Sequence, residues 1–329
     1  MPAIRRIMVA VKDLESRHLP AVLKAAQLAR AYGATLELFH ALSAPLYIDP
    51  AFNSAGGLTP LEHEMRQNAL RRLEGIADRL RLHTIKVTIG AEWDYPAHEA
   101  IIRRSRAIKA DLIISSLHPG KHRAPWLMRL TDWEILRWSE VPVLLVKNSH
   151  AYRHPAILTA IDPGRARGKP LQLDRAIVAM GRSLASALSG SLHAVHAYER
   201  FPVSVASKTG RPGGIEAGLR AVTRHAQLRF RSALSSARIA RSRQFLIAGD
   251  PAAAIGEAAQ RSHAAVVVMG ALSRTGIKRL LFGDTAERTL DDLSCDILVV
   301  KPASFSSQVP RKSRGPRVRA IVPAGMLGG

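Results

Sequence analysis

The 329 residues carry 48 Lys and Arg against 26 Asp and Glu, a net charge of +22, and 47% of them are hydrophobic. That length suggests two domains, and the single cysteine, Cys295, excludes an internal disulfide and fits a reducing compartment. No apolar run approaches the roughly 20 residues of a membrane span, and the one near Met8 is too short for a secretory leader, so the sequence predicts a cytoplasmic protein.

Short Val-, Ile- and Leu-rich runs alternate with longer helical patterns. In the first half the runs are Ile4–Val11, Thr35–Ala41, Thr84–Ile89, Asp111–Ser115 and Pro142–Lys147. In the second they are Pro155–Ile161, Ser191–Ala197, Gln244–Ala248, Ala264–Met269 and Asp296–Lys301. Continuous apolar runs of this length fit strands buried on both faces. Helix-length segments such as Leu61–Leu82 and Ile215–Ile239 lie between them. This alternation predicts an α/β fold with a parallel sheet and helices on both faces.

The halves repeat each other. Leu36–Ala41 overlays Leu192–Ala197 at an offset of 156, and Asp111–Val146 overlays Ala265–Val300 at 154 without a gap. Glu92-Trp93-Asp94-Tyr95-Pro96 and Ala248-Gly249-Asp250-Pro251 both follow a third strand and open a helix. The sequence therefore predicts two copies of one domain, over 1–150 and 151–302, with the boundary near Asn148–His154. Residues 303–329 are rich in Pro, Ser, Gly and basic residues and hold no acid, which predicts a disordered basic tail. The clusters Arg103-Arg104-Ser105-Arg106 and Arg238–Arg243 lie on or beside predicted helices and read as solvated faces.

In an open parallel sheet, ligands bind beyond the carboxyl ends of the strands. In the second half the fourth strand runs into Gly270-Ala271-Leu272-Ser273-Arg274-Thr275-Gly276, followed later by Gly283-Asp284-Thr285-Ala286-Glu287. Small residues let backbone N–H groups approach a phosphate, and a helix opening at Asp284 or Thr285 adds partial positive charge. Equally, Asp284 and Glu287 can form a capping box. No Gly-x-Ser-x-Gly elbow and no Walker loop occurs. His193 and His196, three apart on a strand, point to opposite faces, which disfavours a shared metal. Cys295 precedes a buried strand and reads as inert. Trp126, Trp133 and Trp138 read as core packing, with an apolar pocket or an interface as the alternative.

The run Val268–Gly276, through Gly283-Asp284-Thr285-Ala286-Glu287, to Cys295-Asp296-Ile297-Leu298-Val299-Val300-Lys301-Pro302 resembles the carboxyl-terminal signature of the universal stress protein family. Thr131-Asp132-Trp133, Val141-Pro142-Val143 and Val146-Lys147 resemble the degenerate first domain of its tandem, two-domain E-type. The likeness covers about residues 4–302. It implies two Rossmann-like (adenine nucleotide alpha hydrolase-like) domains, each of strand order 3-2-1-4-5, and a role in surviving stress without dedicated turnover. It further implies that the two fifth strands pair within the chain, and it allows a homodimer. ATP-binding members of the family use Gly-x2-Gly-x9-Gly-(Ser/Thr) and an Asp ending the first strand. Here those positions are Gly270, Ser273, Gly283 and Asp284, with Asp162 as the first-strand acid; Gly276 and Thr285 lie within the same loop. Ser273 departs from a glycine, and Asp284 puts a carboxylate where a phosphate oxygen would sit, which repels it. The first half reads Ser116, Pro119, Arg129 and Leu130, with Lys12 in the Asp position, so it is not expected to bind ATP. ATP in the second half is therefore the cofactor expectation. A slow ATPase is the first alternative. The second is a charge-driven binder of nucleic acid or an anionic surface.

Overall fold

The computed structural model describes residues 4–43, 46–48, 58–81, 85–117, 125–163, 171–198, 214–271, 292–315 and 318–320. The chain divides into two compact units, 4–145 with 307–329, and 1–3 with 146–306.

In the first unit, β1 (Arg6–Ala10), β2 (Thr35–Leu42), β4 (Val87–Trp93), β5 (Leu112–Ser116) and β6 (Val143–Val146) line up as β4-β2-β1-β5-β6. β1 pairs in parallel with both β2 and β5, and β2 with β4. Helices α1 (Pro20–Tyr32), α2 (Leu58–Arg81), α3 (Ala97–Ala107) and α4 (Pro125–Trp138) connect them, and β3 (Leu46–Ile48) follows β2. β1 and β5 are sealed by Ile7, Met8, Val9, Leu112, Ile113 and Ile114, each with no exposed surface. α1 starts on Pro20 and ends at Gly33, whose φ of +64 lets its N–H reach the last carbonyls.

In the second unit, β7 (Ala156–Ala160), β8 (Ser191–Tyr198), β9 (Gln244–Ala248), β10 (Ala264–Gly270) and β11 (Asp296–Val300) lie in the order β9-β8-β7-β10-β11. Neighbouring strands in that order all pair in parallel. The helices are α5 (Leu171–Ala187), α6 (Gly214–Leu234) and α7 (Pro251–Ser262). Asp250 caps α7, its Oδ2 accepting from Ala253 N at 3.1 Å. Both units therefore have the order 3-2-1-4-5. The link after β6 is tied to the second unit through Asp296, which is wholly buried. Its Oδ1 accepts from Lys147 N at 2.9 Å and its Oδ2 from Tyr152 Oη at 2.5 Å. Among the described residues, no helix is long and apolar enough to cross a membrane.

Three expectations need correction. The third strand of the first half runs Val87–Trp93 rather than Thr84–Ile89, because pairing with β2 continues to Leu42 and Trp93. So Glu92 and Trp93 belong to the strand, and Pro96 immediately precedes α3. Secondly, the Arg103–Arg106 run is not a solvated face. Arg103 is buried against Asp94 and Glu99, Arg104 bonds Glu37 and Glu92, and Arg106 bonds Glu140. Burying Arg103 requires these partners, since an unpaired buried charge is costly.

Thirdly, the described part of the tail is not free of the fold. Residues 307–315 lie on the first unit, where Arg314 bonds Glu99 and Val309 is buried. β12 (Val318–Ala320) pairs in parallel with β3. A basic segment with no apolar period has little reason to order by itself. Acidic partners on the first unit supply that reason here.

Candidate functional site

The rim at the carboxyl ends of β7 and β10 holds two of the residues singled out from the sequence. β7 ends in Ala160, and Ile161 N still donates to Val195 O at 3.0 Å. Asp162 follows. Its N–H donates to Asp174 Oδ1 at 3.2 Å, from the first turn of α5. Its carboxylate lies 3.9 Å from His196 Nδ1, and that nitrogen is 3.2 Å from Ile161 O. Both neighbours are acceptors, so Nδ1 carries the proton. The Asp162 side chain is 41% exposed while that of His196 is 4% exposed. The carboxylate is thus the half-open member of a buried pair.

Gly270 ends β10 on the adjacent strand. Val268 pairs with Thr159, which puts Gly270 and Asp162 on the same rim. A Cβ at Gly270 would stand 2.8 Å from Leu173 Cδ2 and 3.2 Å from Ile177 Cδ1. Close packing of α5 on β10 therefore favours a glycine here independently of any ligand at the rim. Ser273, Gly276, Gly283, Asp284 and Thr285 lie outside the described residues.

The equivalent rim of the first unit is built differently. His40 Nδ1 lies 2.7 Å from Val11 O, repeating the His196–Ile161 contact. The next residue is Lys12 in place of an acid. Its Nζ donates to Ser116 O at 3.0 Å and pairs with Asp132 Oδ1. Ser115 Oγ donates to the same Asp132 oxygen at 2.9 Å. The Lys12 and Asp132 side chains are 10% and 2% exposed. Ser116, the counterpart of Gly270, accepts from Ala21 N at 3.3 Å, one of the open N–H groups starting α1. Asp13, beside Lys12, is engaged locally by Glu15 N and Ser16 N. Polar groups of the protein thus occupy the described part of this rim, beside a small recess between Lys12, Leu19, Val22 and Ser116.

Sequence reasoning missed Asp132, Asp174 and the two rim histidines. The histidines had a signal, since His40 and His196 match at the repeat offset of 156. Burial lowers the His40 pKa from its usual 6.5, outweighing the backbone carbonyl of Val11 and the charge of Asp13. Burial also lowers His98 and His193. A depressed histidine contributes stability that is complete above its unfolded pKa and lost as pH falls through its folded one. Each such group gives a slope of at most about 1.4 kcal/mol per pH unit. The thermal midpoint is therefore expected to hold above pH 7 and to fall as pH drops below 6.5. His40→Gln should flatten that fall in melts across the same window, and an unchanged slope would exclude His40 as a source. Of the other sequence candidates, Cys295 is buried and Trp138 Nε1 donates to Glu134 Oε2 at 2.7 Å. Among the described residues, no group of three or more His, Cys, Asp or Glu could hold a metal.

The profile of the universal stress protein family matches residues 3–147 and again residues 156–301. Universal stress protein E of Salmonella typhi is 26% identical over 315 residues, spanning 93% of this chain and 98% of that one. Its namesake from Escherichia coli (strain K12) is also 26% identical over 315 residues, with 93% and 97% covered. Among solved structures, the functionally unknown protein PA1789 from Pseudomonas aeruginosa PAO1 superposes with a TM-score of 0.67 at 25% identity. That match covers 92% of this chain and 94% of PA1789. A universal stress protein from Archaeoglobus fulgidus DSM 4304 shares the fold, with a TM-score of 0.60 at 15% identity over 91% and 97% of the two chains.

Proposed function

The chain belongs to the universal stress protein family, and from that premise we propose that it is a non-catalytic binding protein of the stress response with one nucleotide site, in its second unit. The ligand is ATP. The site comprises Asp162, Gly270, Ser273, Gly276, Gly283, Asp284 and Thr285. The observation that carries this reading is the contrast between the two rims. Asp162 presents a half-open carboxylate beside Gly270, whereas Lys12 is consumed by Asp132 and Ser116. A carboxylate at the end of the first strand can accept from a ribose hydroxyl, and a buried, paired ammonium cannot.

Titration calorimetry with MgATP on the full chain tests the proposal. A stoichiometry near one is expected, with affinity falling tenfold or more in Asp162→Ala. Asp284→Ser should raise affinity, because it removes a carboxylate from beside the phosphates. No heat at millimolar ATP, or two sites per chain, would sink the reading. Gly270→Asp is not a usable test, since its side chain would collide with Leu173 in the packed core. If binding is seen, phosphate release at saturating ATP should stay at the buffer rate. Turnover would move the assignment to the slow ATPase.

A further inference from the structure

We propose that residues 307–315 are a peptide ligand held in cis by a groove on the first unit, and that the groove takes the same segment from a second copy of this chain. The groove follows α3, from Arg106 and Glu140 near the start of β6 to Asp94, Tyr95 and Glu99 at the turn from β4 into α3. Its walls are fixed by the unit itself. Arg103 Nε is held by Asp94 Oδ2 at 2.9 Å, and its Nη1 by Glu99 Oε2 at 3.0 Å. Arg106 is held by both oxygens of Glu140, at 3.1 Å each.

The segment is read mainly through its backbone. Ser307 N donates to Glu140 Oε1 at 3.1 Å. Val309 O accepts from Arg106 Nη1 at 2.9 Å, and Pro310 O from Arg103 Nη1 at 3.2 Å. Arg314 N donates to Asp94 Oδ1 at 3.1 Å, and Gly315 O accepts from Tyr95 N at 3.2 Å. Two side chains add to this. Val309 is buried, and Arg314 makes a two-pronged contact with Glu99, Nε and Nη2 each 3.0 Å from an oxygen. Arg311, Lys312 and Ser313 between them face solvent.

That pattern is a peptide site rather than a structural loop. Charged side chains, cross-braced and in the case of Asp94, Glu99 and Arg103 buried, bind main-chain groups of a segment without regular structure, and one arginine is recognised bidentately. The charged side chains would keep a partner without the tail, since Arg103 pairs with Asp94 and Glu99 and Arg106 with Glu140. The ligand class follows: an acid-free segment without regular structure, with a small apolar residue five positions before an arginine. A second copy carries it by construction. The tether explains why the cis segment dominates. A short link sets an effective concentration on the order of millimolar, so a segment of roughly 10 μM intrinsic affinity would bind the intact chain about 100-fold more weakly than the vacated groove.

The test places a protease site in the exposed turn at Ala303 and Ser304 of the full chain. After cleavage, a fluorescein-labelled peptide of residues 307–315 is titrated by anisotropy. It should bind the cut protein, after the freed tail is dialysed away, roughly 100-fold more tightly than the uncut protein. The Arg314→Glu peptide should lose at least tenfold. Equal binding to cut and uncut protein, or no binding to a cut protein that keeps its circular dichroism, would overturn the proposal. Should the cut protein unfold, hydrogen exchange on uncut Arg314→Ala decides. Faster exchange confined to 307–315 supports a displaceable ligand. Matching acceleration in β1, β2 and β5 would make the segment part of the core and refute it.

Discussion

Arg103→Ala is expected to destabilise the protein by about 3–5 kcal/mol, the usual cost of stranding a buried charge. The guanidinium sits between two carboxylates, Asp94 at 1% and Glu99 at 8% exposure. It bonds Asp94 through Nε and Nη2 and Glu99 through Nη1. Alanine would leave both acids facing each other in a low-dielectric pocket, with only Arg314 to answer them. For a unit of this size the loss corresponds to a drop of roughly 6–20 °C in the first unit's thermal midpoint. Scanning calorimetry is the measurement, with the second unit's transition as an internal reference. Arg103→Lys should recover only part, since an ammonium cannot make the planar two-sided contact. The triple change of Arg103, Asp94 and Glu99 to apolar residues should cost less than Arg103→Ala alone. A loss under about 1 kcal/mol for Arg103→Ala would mean that water reaches the acids.

Asp132→Asn should have an effect of similar size, about 3–5 kcal/mol, through the opposite charge. Asparagine keeps the shape and can still accept from Ser115, so little packing is lost. What disappears is the anion paired with Lys12, whose side chain is 10% exposed. The remaining partner of the ammonium, Ser116 O, is a neutral carbonyl. The double variant Lys12→Met with Asp132→Leu should recover most of the stability, because it removes both charges together. Urea unfolding of the two variants side by side gives the comparison, and the double variant must be the more stable. The same pair answers a functional question. If the lack of a carboxylate at position 12 is what keeps ATP from the first rim, neither variant should create a second binding site, because neither restores one.

The layered fold was legible because it rests on local patterns. β9 is found at Gln244–Ala248, the bounds its apolar run implies, and α7 begins at the Asp250-Pro251 signal. Duplication was legible for the same reason, since it needs only self-comparison. Features that depend on distant partners were not. Lys12 could be seen to replace an acid, yet its neutralisation comes from Asp132, 120 residues away. The Arg103–Arg106 run looks like a solvated face to any periodicity argument. Of its partners only Glu99 stands one helical turn away, whereas Asp94, Glu37 and Glu140 belong to other elements. The tail is the extreme case, because its composition alone describes a soluble coil and its receptor is over 200 residues upstream. At the second rim, Gly270 was found through the Gly-rich run after the fourth strand and Asp162 through the resemblance. Gly270 was read as room for a phosphate; its packing against Leu173 could not be seen in the sequence, because α5 stands about a hundred residues earlier.

The strap formed by residues 307–315 has a consequence for how the protein is made. Synthesis runs from the amino end, and domains generally fold in the order they emerge. Yet the groove between Asp94, Glu99 and Glu140 waits for a segment that leaves the ribosome only after the entire second unit. The first unit to begin folding is thus the last to be completed. In the interval its surface along α3 offers two fixed arginines and two buried acids to any passing segment of matching chemistry, including the tail of a finished neighbour on the same message.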